Sequence, residues 1–434
     1  MNNNIESENN SNSNSNSNSN SNSNSNSNSN SNSNYKINNQ NFIEIGNYEI
    51  SENLKLIKSF DDKDINLNEN LLRGIYTYGY EKPSPIQELA IKPIKEGRDL
   101  IAQSQSGTGK TATFVIGSIE SLNMNLNKTQ VLIISPTREL AIQTGDVFNN
   151  LINYLPNVTY SMCIGGSKKN KFIHSGEVNQ VIIGTPGRIS DLLNKRLILS
   201  DNIKLIIIDE ADEVLSYSFK DQLTKIFEII PKTAQVCLFS ATMPTELFGV
   251  TDKIMNNPIK ILVKEDELTL DGISQYYVTV NDDRWKFETL CEIYSMMSIG
   301  QAIIYCNRKN LAEELVNLLN SNDYTATTIH GNMLQQERQN VMSDFRSGKI
   351  RMLIATDIIA RGIDVQQVSL VINYEMPREY ETYIHRIGRS GRFGRKGLAI
   401  NFVNKRDKYH INNLERHYNT NINELPSDLD KIIT

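Results

Sequence analysis

Short, strongly apolar runs punctuate this chain, separated by longer segments of mixed polarity with helical spacing. In the first half the runs are DLIAQ (99–103), VLIISPT (131–137), VIIGTPG (181–187), LIIIDEAD (205–212) and VCLFSAT (236–242). A second series follows: AIIYCN (302–307), ATTIHG (326–331), MLIATD (352–357), LVINY (370–374) and LAINFV (398–403). Runs without polar alternation belong to strands buried on both faces, which is the situation of a parallel sheet covered by helices. The pattern therefore predicts an α/β protein. Polar residues gather at the C-terminal end of each run, the edge where open parallel sheets hold their ligands.

Two series predict two doubly wound domains, and 434 residues are too many for one core. The segment VKEDELTLDGIS (263–274) is charged, carries a glycine and reads as a linker. From Ser11 to Asn34 the chain alternates serine and asparagine without interruption. Having nothing apolar to bury, that tract cannot offset the entropy of ordering. The expected organisation is a disordered tail (1–37), an N-terminal extension (38–59), a first domain beginning at Phe60 (60–262), the linker (263–274) and a second domain (275–434).

Composition narrows the class. Hydrophobic residues at 39% and charged residues at 22% suit a soluble protein. No apolar run is long enough to span a bilayer, and MNNNIESENN lacks the basic start and apolar core of a secretory signal. No membrane partner is expected. Cys163, Cys237, Cys291 and Cys306 stand apart from one another, which suits free thiols in a reducing compartment, cytoplasmic or else nuclear. A net charge of −5 argues against coating nucleic acid by charge alone. It leaves room for a local basic surface, and HRIGRSGRFGRKG (385–397) supplies one, dense in arginine and glycine.

The chemistry-bearing stretches sit at strand ends. SQSGTGKT (104–111) follows a strand and opens a helical segment, so the N–H groups around Ser106, Gly107, Thr108 and Gly109 can cradle phosphates. Lys110 would reach the β- and γ-phosphates, and the Thr111 hydroxyl would ligate Mg²⁺. Ser104 stands where the strict phosphate-loop pattern has glycine. LIIIDEAD delivers Asp209, Glu210 and Asp212 at a strand tip; Asp209 can hold Mg²⁺ through water and Glu210 can orient and deprotonate an attacking water.

With PTREL (136–140), TPGR (185–188), SAT (240–242), ARGID (360–364) and HRIGRSGR (385–392) in the same order, the chain resembles the DEAD-box RNA helicase family from Phe60 to the C-terminus. LLRGIYTYGYEKPSPIQ, DELTLDGISQYYV and ARGIDVQQVSLVINY are similar to its translation initiation factor 4A branch and to the nuclear exon-junction branch. The resemblance implies two tandem RecA-like domains, ATP and Mg²⁺ as cofactors, and RNA-stimulated ATP hydrolysis. It implies that Phe60 stacks on the base and that Gln87 reads adenine; an amide offers the donor and acceptor that match N6 and N7. Ser240 and Thr242 would bond Asp212 and, with His385, tie the ATP site to domain closure. Arg389 and Arg392 would be arginine fingers, and Asp364 would touch the ribose.

For RNA, the resemblance points to Thr137, Arg138, Gly165, Gly166, Thr185 and Arg188 in the first domain. In the second it points to Gln335, Arg338, Arg346, Gly348, Thr356 and Arg361. Hydroxyls, backbone N–H groups and single arginines suit phosphates and 2′-hydroxyls, so binding would be sequence-independent. The expected enzyme is a monomeric core that unwinds short duplexes in translation initiation, held by a scaffold protein of the cap-binding complex. The alternative is an ATP-dependent RNA clamp in a nuclear exon-junction assembly. A phosphate-loop metabolite kinase would leave the second domain's motifs idle. Ser218 replaces an expected glycine, and SKKNKFIHSGEVNQ (167–180) diverges from the family, so differences are expected in partner contacts and RNA affinity.

Overall fold

Strand β7 (Leu205–Asp209) shows how the first sheet is built: Ile207 packs into one apolar layer, while Ile206 and Ile208 pack into the layer on the opposite face. In chain order the other strands of this sheet are β1 (Ile43–Ile45), β2 (Tyr48–Ile50), β3 (Leu100–Gln103), β4 (Val131–Ile134), β5 (Tyr160–Cys163), β6 (Val181–Gly184), β8 (Gln235–Ser240) and β9 (Ile259–Val263). They lie side by side as β1-β2-β9-β3-β8-β7-β4-β6-β5. Every pairing from β9 to β5 is parallel, and the β1–β2 hairpin adds to the β9 edge antiparallel. The computed structural model describes residues 42–166, 179–264, 272–297, 299–357, 368–390, 397–405 and 407–426. The Ser-Asn tract, most of the divergent 167–180 segment, Arg361, Asp364 and Arg392 lie outside the described residues.

The second sheet contains β10 (Ile273–Thr279), β11 (Gln301–Tyr305), β12 (Ala326–Ile329), β13 (Met352–Ala355), β14 (Val368–Asn373), β15 (Gly397–Val403) and β16 (Asn423–Glu424). Their order is β12-β13-β11-β14-β15-β10-β16, parallel throughout. Again alternate residues of one strand serve opposite layers, Ile303 on one face and Ile304 on the other. Helices Gln335–Arg346, Tyr380–Ile387 and Asp407–Tyr418 cover the first face; Lys286–Met296 and Lys309–Ser321 cover the second. The fold is thus two parallel-sheet, RecA-like α/β domains.

Three boundaries differ from the sequence reading. The extension 38–59 carries β1 and β2, which pair with β9 through Tyr48↔Val263 and Ile50↔Ile261, so the first domain starts before Phe60. Val263 belongs to β9, and Ile273 and Ser274 belong to β10, which shortens the connection at both ends. Among the described residues no helix is long and apolar enough to cross a membrane, and all four cysteines are free.

Candidate active site

Because β3 lies beside β8 and β8 beside β7, the segments following these strands converge at one sheet edge. The first is the phosphate loop. Gly107 and Gly109 adopt φ of 84° and 101°, in the left-handed region that glycine enters without a Cβ clash. At Gly109 a side chain is excluded twice over, since a Cβ would stand 2.8 Å from Gln87 Nε2 and 3.1 Å from Ser84 Oγ. Gln87 is buried against the loop: Oε1 accepts from the Ser84 N–H (2.8 Å) and Nε2 donates to the Gly109 carbonyl (3.4 Å). Each end of the amide retains one further hydrogen-bonding position, a donor and an acceptor side by side.

Lys110 Nζ donates to the carbonyls of Ser104 (2.5 Å) and Gln105 (3.0 Å). Ser104 Oγ is shared between Thr108 Oγ1 at 2.6 Å and the phenol oxygen of Tyr48 at 2.9 Å. Tyr48 therefore links the antiparallel hairpin to the phosphate loop. Sequence reading missed it; the signal available was Ser104, a hydroxyl where the pattern asks for glycine.

The second segment is the acidic tip of β7. Asp209 is buried, and its carboxyl is pushed up to about 7, first by burial and then by the charge of Glu210, with Lys110 pulling the other way. Oxygen donors of this kind, with the Thr111 hydroxyl at the start of helix Lys110–Ser121, suit a hard divalent cation. Glu210 takes the left-handed conformation (φ 47°, ψ 59°), which costs a non-glycine residue about 1–3 kcal/mol. Its buried Oε2 makes no hydrogen bond and stands 4.0 Å from His385 Nδ1.

Asp212 is a junction. Oδ1 accepts from Ser240 Oγ (2.7 Å); Oδ2 accepts from Thr242 Oγ1 (2.7 Å) and from His385 Nε2 (2.7 Å). The third bond crosses from the second sheet's helix Tyr380–Ile387 to the first domain. Glu210, Asp212 and His385 offer ligand atoms within 4.8 Å of one another, but the Asp212 oxygens are already engaged by donors, which makes this a hydrogen-bonded bridge.

Arg389 also crosses. Its Nη2 donates to Ser106 Oγ at 3.0 Å, and its Nε is held by the His385 carbonyl at 3.1 Å. Arg386, between them in sequence, points the other way and is fully buried. It bonds Asp357 Oδ1 (2.6 Å), Asn307 Oδ1 (2.7 Å), the Glu375 carbonyl (2.7 Å) and Asn373 Oδ1 (3.1 Å), with its guanidinium over the Tyr305 ring.

The residues expected at RNA are less uniform. Arg138 lies over Gly165 and Gly166, where added Cβ atoms would meet its Nη2 at 2.9 Å and Nη1 at 3.2 Å. Thr137 caps helix Arg138–Leu151 by accepting from the Leu140 N–H (3.2 Å). Thr185 precedes helix Pro186–Asn194, and Arg188 pairs with Asp191 at 2.8 Å. Thr356 is buried just after β13, and Gly348 follows helix Gln335–Arg346 at φ 77°. Burial raises the Asp146 carboxyl above the usual carboxylate range, with the positive charge of Arg346 pulling the other way.

At two places the expected residues are engaged within the protein. Gln335 and Arg338 direct their polar groups at Glu139 in the first domain: Nε2 of Gln335 and Nη1 of Arg338 both reach its Oε1 at 3.3 Å, and Arg338 Nη2 donates to Gln335 Oε1 at 2.6 Å. A carboxylate within reach outcompetes solvent for a buried guanidinium, so this trio bridges domains; Glu139, inside PTREL, was overlooked. Phe60 is 1% exposed, part of the first core layer and edge-on to Tyr76 (6.4 Å, 83°).

The sequence matches the family model described as DEAD/DEAH box helicase over residues 84–248, and that described as helicase conserved C-terminal domain over 285–394. It is 49% identical to the ATP-dependent RNA helicase eIF4A of Meyerozyma guilliermondii, covering 91% of this chain and 99% of that one. Identity to the eukaryotic initiation factor 4A of Caenorhabditis elegans is also 49%, covering 89% and 95%. The fold is similar to that of Dbp5 of S. cerevisiae bound to RNA and ADP BeF3, with TM-score 0.81, 36% identity and coverage of 87% and 98%.

Proposed function

The chain belongs to the DEAD/DEAH box helicase family and is an ATP-dependent RNA helicase, and from that premise we propose that its reaction centre is divided between the two domains and completed when ATP and RNA draw them together. One observation carries the reading: Arg389 of the second domain reaches Ser106 in the phosphate loop of the first at 3.0 Å. An arginine delivered there can neutralise charge growing on the γ-phosphate, an effect worth roughly 10³–10⁵ in rate.

The other roles follow from position. The phosphate-loop N–H groups and Lys110 hold the phosphates; the carbonyls that now accept from Lys110 yield to nucleotide oxygens. Gln87 has one donor and one acceptor left for adenine. Thr111 and Asp209 would hold Mg²⁺, which supplies charge neutralisation on the phosphates when bound. Glu210, whose buried Oε2 makes no hydrogen bond, orients the attacking water and takes its proton. Asp212, clamped by Ser240, Thr242 and His385, registers whether the second domain has docked.

RNA lies across both domains, on Arg138, Gly165, Gly166, Thr185 and Arg188 on one side and Arg346, Gly348 and Thr356 on the other. Contacts to backbone alone make binding sequence-independent. ATP and RNA each favour the docked state, so each strengthens the other's binding. A strand held this way leaves its duplex, and hydrolysis with loss of phosphate releases it. The similarity to Dbp5 bound to RNA and ADP BeF3 supports the docked arrangement. The initiation factor 4A relatives support a cytoplasmic role in translation initiation, with a scaffold of the cap-binding complex as partner.

ATP hydrolysis by the intact chain, measured with and without single-stranded RNA, tests the reading. Strong stimulation that disappears in Arg389→Ala supports it; equal stimulation in that variant removes the finger assignment. Recovery of a cap-binding scaffold in affinity purification supports the translational role, and recovery of exon-junction proteins replaces it.

A further inference from the structure

Parallel strands β14 and β15 face each other through Leu370↔Leu398, Val371↔Ala399, Ile372↔Ile400 and Asn373↔Asn401. Three pairs are apolar, as the interior of a covered sheet demands. The fourth is a pair of asparagines, both wholly buried. Burying two amides costs free energy unless every group is satisfied, and an aliphatic pair would fill the same space without that cost. Here each side-chain polar atom has a partner; Asn401 Nδ2 also donates to the Tyr276 carbonyl (2.9 Å), and the bonds between side chains run in one direction.

Arg386 Nη1 donates to Asn373 Oδ1 (3.1 Å), and Asn373 Nδ2 donates to Asn401 Oδ1 (2.7 Å). Asn401 Nδ2 donates to the Tyr383 phenol (3.2 Å), which donates to Gln275 Oε1 (2.8 Å). Gln275 Nε2 then donates to Thr420 Oγ1 (3.0 Å). Burial raises the Tyr383 phenol's pKa, which keeps it a donor. Each bond points away from the guanidinium, so the charge polarises the series and successive bonds reinforce one another.

The series meets helix Tyr380–Ile387 at two residues three apart, Tyr383 and Arg386, which share a face. His385 lies on a different one, and Arg389, in the turn just past the helix end, is tied to it through the His385 carbonyl (3.1 Å); these are the two side chains that cross to Asp212 and Ser106. Fixing one face of a short helix fixes the aim of the other. We propose that Asn373, Asn401, Tyr383 and Gln275 are positioning residues for ATP hydrolysis: the buried relay sets the rotation of the helix that carries His385 and leads into the turn with Arg389, and through it the placement of the arginine on the phosphate loop. The inference rests on the divided reaction centre described above. Misplacement of a catalytic group by about 1 Å costs on the order of 10²-fold in rate, so a loosened relay acts on turnover before it acts on binding.

Asn401→Leu breaks two links of the relay together with the bond from Asn401 Nδ2 to the Tyr276 carbonyl (2.9 Å), and Tyr383→Phe removes a single hydroxyl without opening a cavity. RNA-stimulated turnover and thermal unfolding are measured for both, alone and combined with Arg389→Ala. The proposal expects Asn401→Leu to lower kcat about tenfold and Tyr383→Phe severalfold, with KM for ATP within about twofold, and neither to slow Arg389→Ala further, because residues acting through one group are non-additive. Losses that multiply with Arg389→Ala, or a folded Tyr383→Phe with wild-type kcat, overturn it. Should Asn401→Leu fail to fold, Tyr383→Phe decides. If Arg389→Ala is itself as fast as wild type, the finger reading fails instead, which is a separate outcome.

Discussion

His385 Nε2 and Asp212 Oδ2 lie 2.7 Å apart, although 173 residues separate them in sequence. The same carboxylate is held by Ser240 and Thr242, so the bond to His385 reports directly to the residues beside the phosphate loop. His385→Ala is expected to leave ATP binding near wild type while weakening RNA binding in the presence of ATP severalfold, since the coupling between ligands and not either site is lost. Fluorescence titration of a labelled single strand, with and without a non-hydrolysable ATP analogue, checks this; unchanged enhancement by the analogue removes the coupling role.

Asp209 titrates where an ordinary carboxylate does not. Its folded pKa of about 7 lies above the usual 3.8, so the folded state holds an extra proton between those values. Stability from this group is thus greatest at acid pH and declines as pH rises from about 4 to 7. Asp209→Asn is expected to flatten that part of the Tm profile in the nucleotide-free protein. In the Mg²⁺ role proposed for Asp209 only the ionised carboxylate serves, so affinity for Mg²⁺-ATP is expected to fall as pH drops below about 7. Glu210→Gln, which removes the second cause of the shift, is expected to move that midpoint to lower pH.

Tyr48 gives the N-terminal hairpin a hand in the phosphate loop through Ser104. Tyr48→Phe leaves the ring packed and removes one buried hydrogen bond, a loss of about 1 kcal/mol. The expected outcome is a Tm a few degrees lower and a KM for ATP raised severalfold, with kcat little changed. Equal KM values would confine the hairpin to a structural role.

Gln87 predicts base selectivity. Its spare donor and acceptor match adenine and clash with guanine, a discrimination of about 1–3 kcal/mol. GTP should therefore compete poorly against ATP, and Gln87→Ala should narrow the gap. Because Gln87 also braces Gly109, the variant should bind all nucleotides more weakly.

Much of this was legible in the residues, for physical reasons. Interior strands such as β7 are buried on both faces and must be apolar throughout, so LIIIDEAD announces itself. Other strands carry less of that demand: β5 (YSMC), at the sheet edge, is only half-buried, and β9 (IKILV), beside the antiparallel hairpin, alternates; both escaped notice. The hairpin at Tyr48 is too short to pattern. The phosphate loop and Asp209 stood out because each follows an apolar strand, whereas the expectations for Asp212 and Arg389 came from the family resemblance. The surroundings of Phe60, Gln335 and Arg338 were not legible, because only packing decides whether an aromatic or a guanidinium faces a ligand, a core or a carboxylate such as Glu139.

The account turns on whether one domain can react alone. The first sheet has both apolar layers within its own residues, so a fragment spanning 42–264 provides the test. Its hydrolysis of saturating ATP, with single-stranded RNA present, is to be compared with that of the intact chain. The account predicts a fragment that binds ATP but hydrolyses it at least roughly 10²-fold more slowly, having no Arg389. A fragment as fast as the RNA-stimulated intact chain would contradict it.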